Sequence, residues 1–144
     1  MRYALLAIPL AVGLMACGND DGNINNTNNT AGCAVEANFT SIHDNLLSKP
    51  GCAQSGCHAS NSVSGGLDLG AGKDEVYRQL TKDPVVFAGA TESKRVDTSP
   101  ETSFLYQRLS TSTSTRISMP PGLFIPDCQQ MAVAEWITGG APND

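Results

Sequence analysis

The segment Cys52-Ala-Gln-Ser-Gly-Cys57-His58 constrains this chain more than any other. Two cysteines bracket a short turn, and a histidine directly follows the second cysteine. In this order each thiol can bond one vinyl group of a haem, and the imidazole can face the iron as its proximal ligand. The usual attachment motif has two residues between the cysteines, whereas this one has four. The segment therefore predicts one covalently bound haem c, held by Cys52, Cys57 and His58.

The N-terminus has the features of an export signal. One basic residue, Arg2, precedes an apolar run from Ala4 to Met15 that is too short to cross a bilayer as a permanent helix. Leu14-Met15-Ala16-Cys17 resembles the lipobox of bacterial lipoproteins, in which cleavage precedes the cysteine and the thiol is acylated. We therefore expect residues 1–16 to be a lipoprotein signal peptide and Cys17 to carry lipid. An ordinary signal peptide and an uncleaved anchor are the alternatives.

A polar segment separates Cys17 from the rest of the chain. Residues 18–32 contain one aliphatic side chain of any size, Ile24, and are rich in Asn and Gly. Such a segment buries too little apolar surface to offset its ordering entropy. We expect residues 17–32 to be a lipidated flexible tether and residues 33–144 to be one small domain.

The charge of the exported chain limits its partners. Loss of Arg2 leaves eight basic and fourteen acidic residues, a net charge of −6. So acidic a chain is a poor candidate for binding nucleic acid or an anionic membrane surface. We expect the lipid on Cys17 to hold the protein in the cell envelope. Gly18, by resemblance to enterobacterial sorting, favours the outer membrane over a periplasm-facing inner membrane.

Apolar spacing predicts an all-α domain. Val35, Phe39, Ile42 and Leu46 recur at helical intervals and lead to Pro50-Gly51, which ends the first helix. A second helix is predicted from Lys73 to Thr81, after a Ser- and Gly-rich loop over residues 59–72. No segment of useful length alternates like a strand.

Two further helices follow in the second half. Ser99-Pro100-Glu101 is a typical helix start, and that helix should run to about Leu109. Residues 111–115 (TSTST) form a low-complexity loop. The last helix should begin near Asp127, have Cys128, Ala132 and Trp136 on one face, and end at Gly139-Gly140.

Thiols outside the cytoplasm do not stay free for long. Each cysteine of an exported chain should therefore be in a disulfide or otherwise modified. Lipidation accounts for Cys17. The other four, Cys33, Cys52, Cys57 and Cys128, form either two disulfides or one disulfide with two thioethers.

Three other chemistries fit Cys52, Cys57 and His58 in part. A local Cys52–Cys57 disulfide would close a short loop without haem. A zinc site has suitable spacing, but the neighbours Cys57 and His58 can hardly both reach one ion. A thiol–disulfide oxidoreductase usually has two intervening residues in a βαβ setting, which is absent.

A haem held by His58 needs a sixth ligand or an open position. Met119 lies in a loop fixed by two following prolines, and we expect its sulfur to be the distal ligand. Met131, the other methionine after the signal, is expected in the core of the last helix. His43, on the first helix, is expected to be capped or half-buried, with a bis-histidine haem as the alternative.

The order of helix, Cys…Cys-His, loop, helix, Met-Pro and C-terminal helix resembles class I cytochromes c. Closer still is a family of small exported cytochrome c-like domains of planctomycetes and myxobacteria. The matching stretches are CAQSGCHAS, GGLDLG, ETSFLYQRL, MPPG and AVAEWITGGAPND. The resemblance implies a small cytochrome c-like helical domain with long loops around one haem, with Cys52, Cys57, His58 and Met119 as its binding residues.

The resemblance also implies a disulfide and a function. The first and last helices of class I cytochromes pack together, which favours pairing of Cys33 with Cys128. The implied activity is single-electron transfer to redox partner proteins of the cell envelope, by a carrier and not an enzyme. The alternative is a non-haem lipoprotein, a structural or binding module in which two disulfides hold the same helices.

Overall fold

The computed structural model describes residues 33–82, 84–85, 93–110 and 118–144, and the expected signal peptide and tether lie outside them. The described chain is helical, which confirms the all-α prediction at this level. Its one sheet is an antiparallel pair of two-residue strands. The elements are α1 (Phe39–Ile42), a π-helical segment (His43–Leu47), a 3₁₀ turn (Ser64–Gly66), α2 (Lys73–Thr81), β1 (Pro84–Val85), β2 (Ser93–Lys94), α3 (Phe104–Leu109) and α4 (Asp127–Thr138).

The first helix begins later than the apolar spacing predicted. Asn38 has extended backbone angles, and its side chain accepts a hydrogen bond from the Ser41 amide at 2.7 Å. This cap fixes the helix start at Phe39, so Val35 lies in an extended segment although it is buried. The prediction that Val35 belongs to the helix was therefore wrong.

Helix α2 has the bounds that the sequence predicted, and it buries Val76 and Leu80. Helix α3 begins at Phe104, not near Ser99. The Ser103 side chain is fully buried, and its hydroxyl donates to the Ser99 carbonyl at 2.7 Å. That bond closes a separate turn before the helix, so the predicted start was wrong. Leu105 and Leu109 are buried as expected.

Helix α4 begins and ends where the sequence indicated, with Gly139 at its C-terminal cap. Its buried side chains are Ala132, Val133, Trp136 and Ile137. Met131 is 51% exposed, so its expected core position was wrong. These four residues form the buried stripe of the helix, and Met131 lies at the edge of that stripe.

The core forms where α1 and α4 pack together. The Phe39 ring stacks on Trp136 at a centroid distance of 5.4 Å and meets the edge of Tyr77 at 5.1 Å. The predicted disulfide between Cys33 and Cys128 is confirmed, with their Cα atoms 5.9 Å apart. It joins the segment before α1 to the first turn of α4. Thus the two helices are linked covalently as well as by packing.

No helix within the described ranges is both long enough and apolar enough to cross a membrane.

Candidate functional site

The Cys52–His58 segment folds into one compact turn. The His58 amide donates to the Cys52 carbonyl at 3.2 Å, and the Cys57 amide donates to the Gln54 carbonyl at 3.0 Å. Gly56 has a φ of +84°, in the left-handed region that favours glycine. The turn accommodates four residues between the cysteines, so the longer spacing still brings the two cysteine backbones and the histidine close together.

The two thiols of the turn are in different states. Cys52 is a free, buried thiol, and burial raises its pKa to about 11. Cys57 is also buried, but it is disulfide-bonded, and its partner is outside the described residues. The alternative of a local Cys52–Cys57 disulfide is therefore wrong for this structure.

The imidazole of His58 is oriented by a backbone carbonyl. Its Nδ1 lies 3.2 Å from the Leu67 carbonyl oxygen, which can only accept a hydrogen bond. Nδ1 is therefore the protonated ring nitrogen, and the lone pair of the neutral ring is on Nε2. Histidines that bind metals commonly use one nitrogen as ligand while the other donates to a carbonyl in this way. In this tautomer Nε2 is the ring nitrogen that can accept a bond from a ligand.

The loop that follows His58 is held by a buried arginine that sequence reasoning missed. Arg95 is 6% exposed, and its guanidinium donates to the carbonyls of Gln79, Gly65 and Gly66 at 3.0, 3.2 and 3.0 Å. The Gln79 side chain in turn accepts from the Asp68 amide at 2.8 Å. These bonds hold the residues on either side of Leu67, whose carbonyl orients the His58 ring.

Replacing Arg95 with methionine should lower the free energy of unfolding by about 1.5–3 kcal/mol, because charged hydrogen bonds to the loop carbonyls are lost. Amide hydrogen exchange should also accelerate at Leu69, whose N–H donates to the His58 carbonyl at 2.7 Å. Lys94→Met is the matched control. The Lys94 side chain is 70% exposed and 3.7 Å from Asp97, so its loss should change stability by at most about 1 kcal/mol. Equal effects of the two substitutions would contradict this role of Arg95.

Met119 lies in a loop next to the Cys52 end of the turn. Its amide donates to the Arg108 carbonyl at 2.7 Å, and its side chain is half-buried. A side-chain carbon built on Gly51 would lie 3.6 Å from Cγ of Pro120. The segment that leads into Cys52 and the Met-Pro loop are therefore neighbours, although they are far apart in sequence.

His43 is half-buried, as the sequence predicted. Its Nδ1 lies 2.7 Å from a carboxylate oxygen of Asp44, and its ring is 6.1 Å from that of Phe39. Its Nε2 is buried and has no hydrogen-bond partner among the described residues. The bis-histidine alternative would use this nitrogen.

The predicted residues fit a covalently bound haem in part. His58 has the tautomer that an axial ligand needs, Cys52 is an unbonded thiol beside it, and the Met119 loop is adjacent. Cys57 fits only after its disulfide is reduced, because a sulfur in a disulfide cannot also form a thioether. For the zinc alternative, no group of three or more His, Cys, Asp or Glu side chains in the described ranges is placed to hold a metal ion.

Comparison with known proteins adds no relative: no family model, no curated protein and no solved structure matches this chain.

Proposed function

We propose that this protein is an exported, lipid-anchored electron carrier of the c-type cytochrome kind. One haem c would be attached through Cys52 and Cys57, with His58 as proximal and Met119 as distal ligand. The observation that carries the proposal is the hydrogen bond from His58 Nδ1 to the Leu67 carbonyl, because it leaves Nε2 as the nitrogen that could bind a metal. The fine architecture proposed is a cytochrome c-like helical domain with long loops around the haem.

The proposed roles of the residues follow from their surroundings. A bound haem supplies an iron that takes up and releases one electron. The Arg95-braced loop holds the His58 ring, and the neighbouring apolar core keeps water from that side of the site. The protein would therefore be a carrier and not a catalyst, and its partners would be redox proteins of the cell envelope. Acylated Cys17 would hold it at the outer membrane or another periplasm-facing membrane.

The decisive measurement is haem retention under denaturing conditions. The full chain, produced in a host that matures this cysteine spacing, should keep its haem in denaturing electrophoresis. Its reduced pyridine derivative should show c-type absorption bands. Cys52→Ala and Cys57→Ala should each remove one thioether, and the double variant should lose the haem on denaturation.

Ala53→Ser, in the same turn but without a thiol, is the control and should retain the haem. Colourless wild-type protein from that host would overturn the proposal.

The distal ligand has a separate spectral test. If Met119 binds the iron, the oxidised protein should have a weak far-red band from sulfur-to-iron charge transfer. Met119→Ala should abolish this band and lower the reduction potential, because a thioether favours ferrous iron. Met131→Leu should leave the band unchanged, since that side chain is exposed. A band that survives Met119→Ala, together with a spectrum altered by His43→Ala, would assign the ligand to His43.

The disulfide state of Cys57 favours a second candidate. In it the protein is a non-haem structural or binding module held by disulfides. Because Cys33 is bonded to Cys128 and Cys52 is free, only Cys17 would be left to pair with Cys57, so in this candidate Cys17 would carry no lipid. Peptide mapping without reductant separates the two candidates. The haem protein should yield a peptide in which Cys52 and Cys57 carry haem, whereas the module should yield a disulfide-linked Cys57 peptide and a free Cys52 thiol.

A further inference from the structure

One peptide group lies between the His58 ring and a buried glutamine. The Leu67 carbonyl of this group accepts from His58 Nδ1 at 3.2 Å, and its amide, on Asp68, donates to Gln79 Oε1 at 2.8 Å. The carbonyl and the amide of a trans peptide group point in opposite directions, so this group is hydrogen-bonded on both sides. We call the Gln79 side chain, the peptide group and the His58 ring the hydrogen-bond relay.

The two partners of the Gln79 side chain fix the orientation of its amide. A backbone N–H can only donate, so the Gln79 atom that faces Asp68 is the oxygen, and Nε2 donates to Glu75 Oε1 at 3.0 Å. Hydrogen bonds from Arg78 and Gln79 lower the pKa of Glu75 to about 2, so this carboxylate is ionised at neutral pH and can only accept. Gln79 itself is 7% exposed, and water therefore has little access to its bond with Asp68.

The backbone on either side of the relay is also held. Gln79 lies in the last turn of α2, and its backbone carbonyl accepts from the buried Arg95 at 3.0 Å. The Leu69 amide donates to the His58 carbonyl at 2.7 Å. These bonds do not involve the His58 ring, so the two ends of the relay are placed independently of what the ring binds.

Hydrogen bonds in such a series polarise one another, and each strengthens the next by about 10–30%. An acceptor on the Asp68 amide leaves more negative charge on the Leu67 carbonyl oxygen. That oxygen then accepts more strongly from His58 Nδ1–H, which holds the neutral ring in the tautomer with its lone pair on Nε2. A stronger bond at Nδ1 also makes Nε2 a stronger electron donor to a metal.

We propose that Gln79 is a positioning residue for His58, acting through the peptide group that joins Leu67 to Asp68. It holds the tautomer of the ring and increases the electron donation of Nε2. The part that concerns a bound metal rests on the proposed function, whereas the tautomer is a property of the chain without haem.

The first test measures the tautomer of His58 in the full chain, produced in a host without haem-attachment machinery. NMR of the ring nitrogens distinguishes the two neutral tautomers at alkaline pH, where imidazoles are uncharged. Gln79→Leu removes the acceptor on the Asp68 amide. The tautomer protonated on Nε2 should then become populated, and exchange of Nδ1–H with water should accelerate about tenfold, because the bond that protects it is weaker.

His43 and Gln130 provide the controls. His43 is the other histidine of the chain, and its Nδ1 faces Asp44, so its ring is the internal reference. Gln130→Leu is the same substitution on α4, where it removes a hydrogen bond to the Ile125 carbonyl of 2.7 Å. It should leave both rings unchanged. A Gln79→Leu protein that is folded by circular dichroism, with the His58 tautomer and exchange rate of Gln130→Leu, would overturn the proposal.

An exchange of two side chains tests the relay without removing it. The double variant Glu75→Gln with Gln79→Glu keeps the net charge and keeps an acceptor for the Asp68 amide. A carboxylate accepts more strongly than an amide oxygen, so the His58 Nδ1–H proton should resonate further downfield than in the wild type. This variant also decides the case if Gln79→Leu does not fold. An unchanged Nδ1–H resonance in the folded double variant means that the relay does not reach the ring.

The same variants carrying haem test the effect on Nε2. Gln79→Leu should raise the reduction potential and the double variant should lower it, because a more strongly donating imidazole favours ferric iron, whereas Gln130→Leu should not change it. A potential unaltered by Gln79→Leu, with the haem still attached, would overturn the inference and leave the proposed function standing. If the wild type takes up no haem, the proposed function fails, and the tautomer measurement still decides whether Gln79 positions the ring.

Discussion

Replacing both Cys33 and Cys128 with serine should lower the free energy of unfolding by about 4.7 kcal/mol, the chain-entropy value for a loop near 100 residues. The two cysteines are 95 residues apart in sequence, so their bond closes nearly the whole domain. Without it the unfolded chain gains freedom, while the folded chain still has the Phe39–Trp136 contact. Urea unfolding followed by circular dichroism measures the difference.

The size of this effect matters because typical domains are stable by only about 5–15 kcal/mol. Ala34→Ser, an exposed neighbour of Cys33, is the control and should change stability by no more than about 0.5 kcal/mol. If the double serine variant unfolds at the same urea concentration as the wild type, the disulfide does not contribute as its long loop implies.

Much of the fold was predictable because local patterns and tertiary packing agree. In α2, Val76 and Leu80 are four residues apart, and both are buried where the helix meets the core. In α4, a glycine pair ends the helix where the apolar spacing ends. Pairing of Cys33 with Cys128 was expected from the resemblance to class I cytochromes, whose first and last helices pack together.

The starts of α1 and α3 were predicted wrongly for the same physical reason. Side chains of Asn38 and Ser103 bond to nearby backbone groups, and those bonds compete with helix formation. Ser99-Pro100 had the composition of a helix start, but the buried Ser103 hydroxyl makes a turn there instead. The burial of Met131 was predicted wrongly for a different reason. On a helix, a side chain one position away from the buried stripe can already be exposed.

Only those residues of the candidate site that lie together in one short stretch of sequence could be predicted. Cys52, Cys57 and His58 are visible because attachment and ligation need adjacent residues. Arg95 was not visible, because its contacts to Gly65 and Gly66 join positions 30 and 29 residues apart, and an isolated arginine has no motif. The carbonyl partner of His58 is a backbone atom, which no side-chain pattern encodes.

The packing of α1 on α4 has its own test in Trp136, which is 1% exposed and stacks on Phe39 at 5.4 Å. Its indole nitrogen also donates to the Pro142 carbonyl at 2.9 Å, which ties the last residues to the helix. Trp136→Ala removes the largest fully buried side chain and leaves a cavity at the centre of the core.

Trp136→Ala should therefore lower the free energy of unfolding by about 3–5 kcal/mol. Circular dichroism is the suitable probe, because the chain has a single tryptophan and the variant loses its fluorescence. Met131→Ala in the same helix is the control, and it should stay within about 0.5 kcal/mol of wild type because that side chain is 51% exposed. A double-mutant cycle with Phe39→Leu should show a coupling of about 0.5–1.5 kcal/mol between the two rings. If the two substitutions are additive, the rings do not stabilise each other, and the two helices are held together mainly by the disulfide.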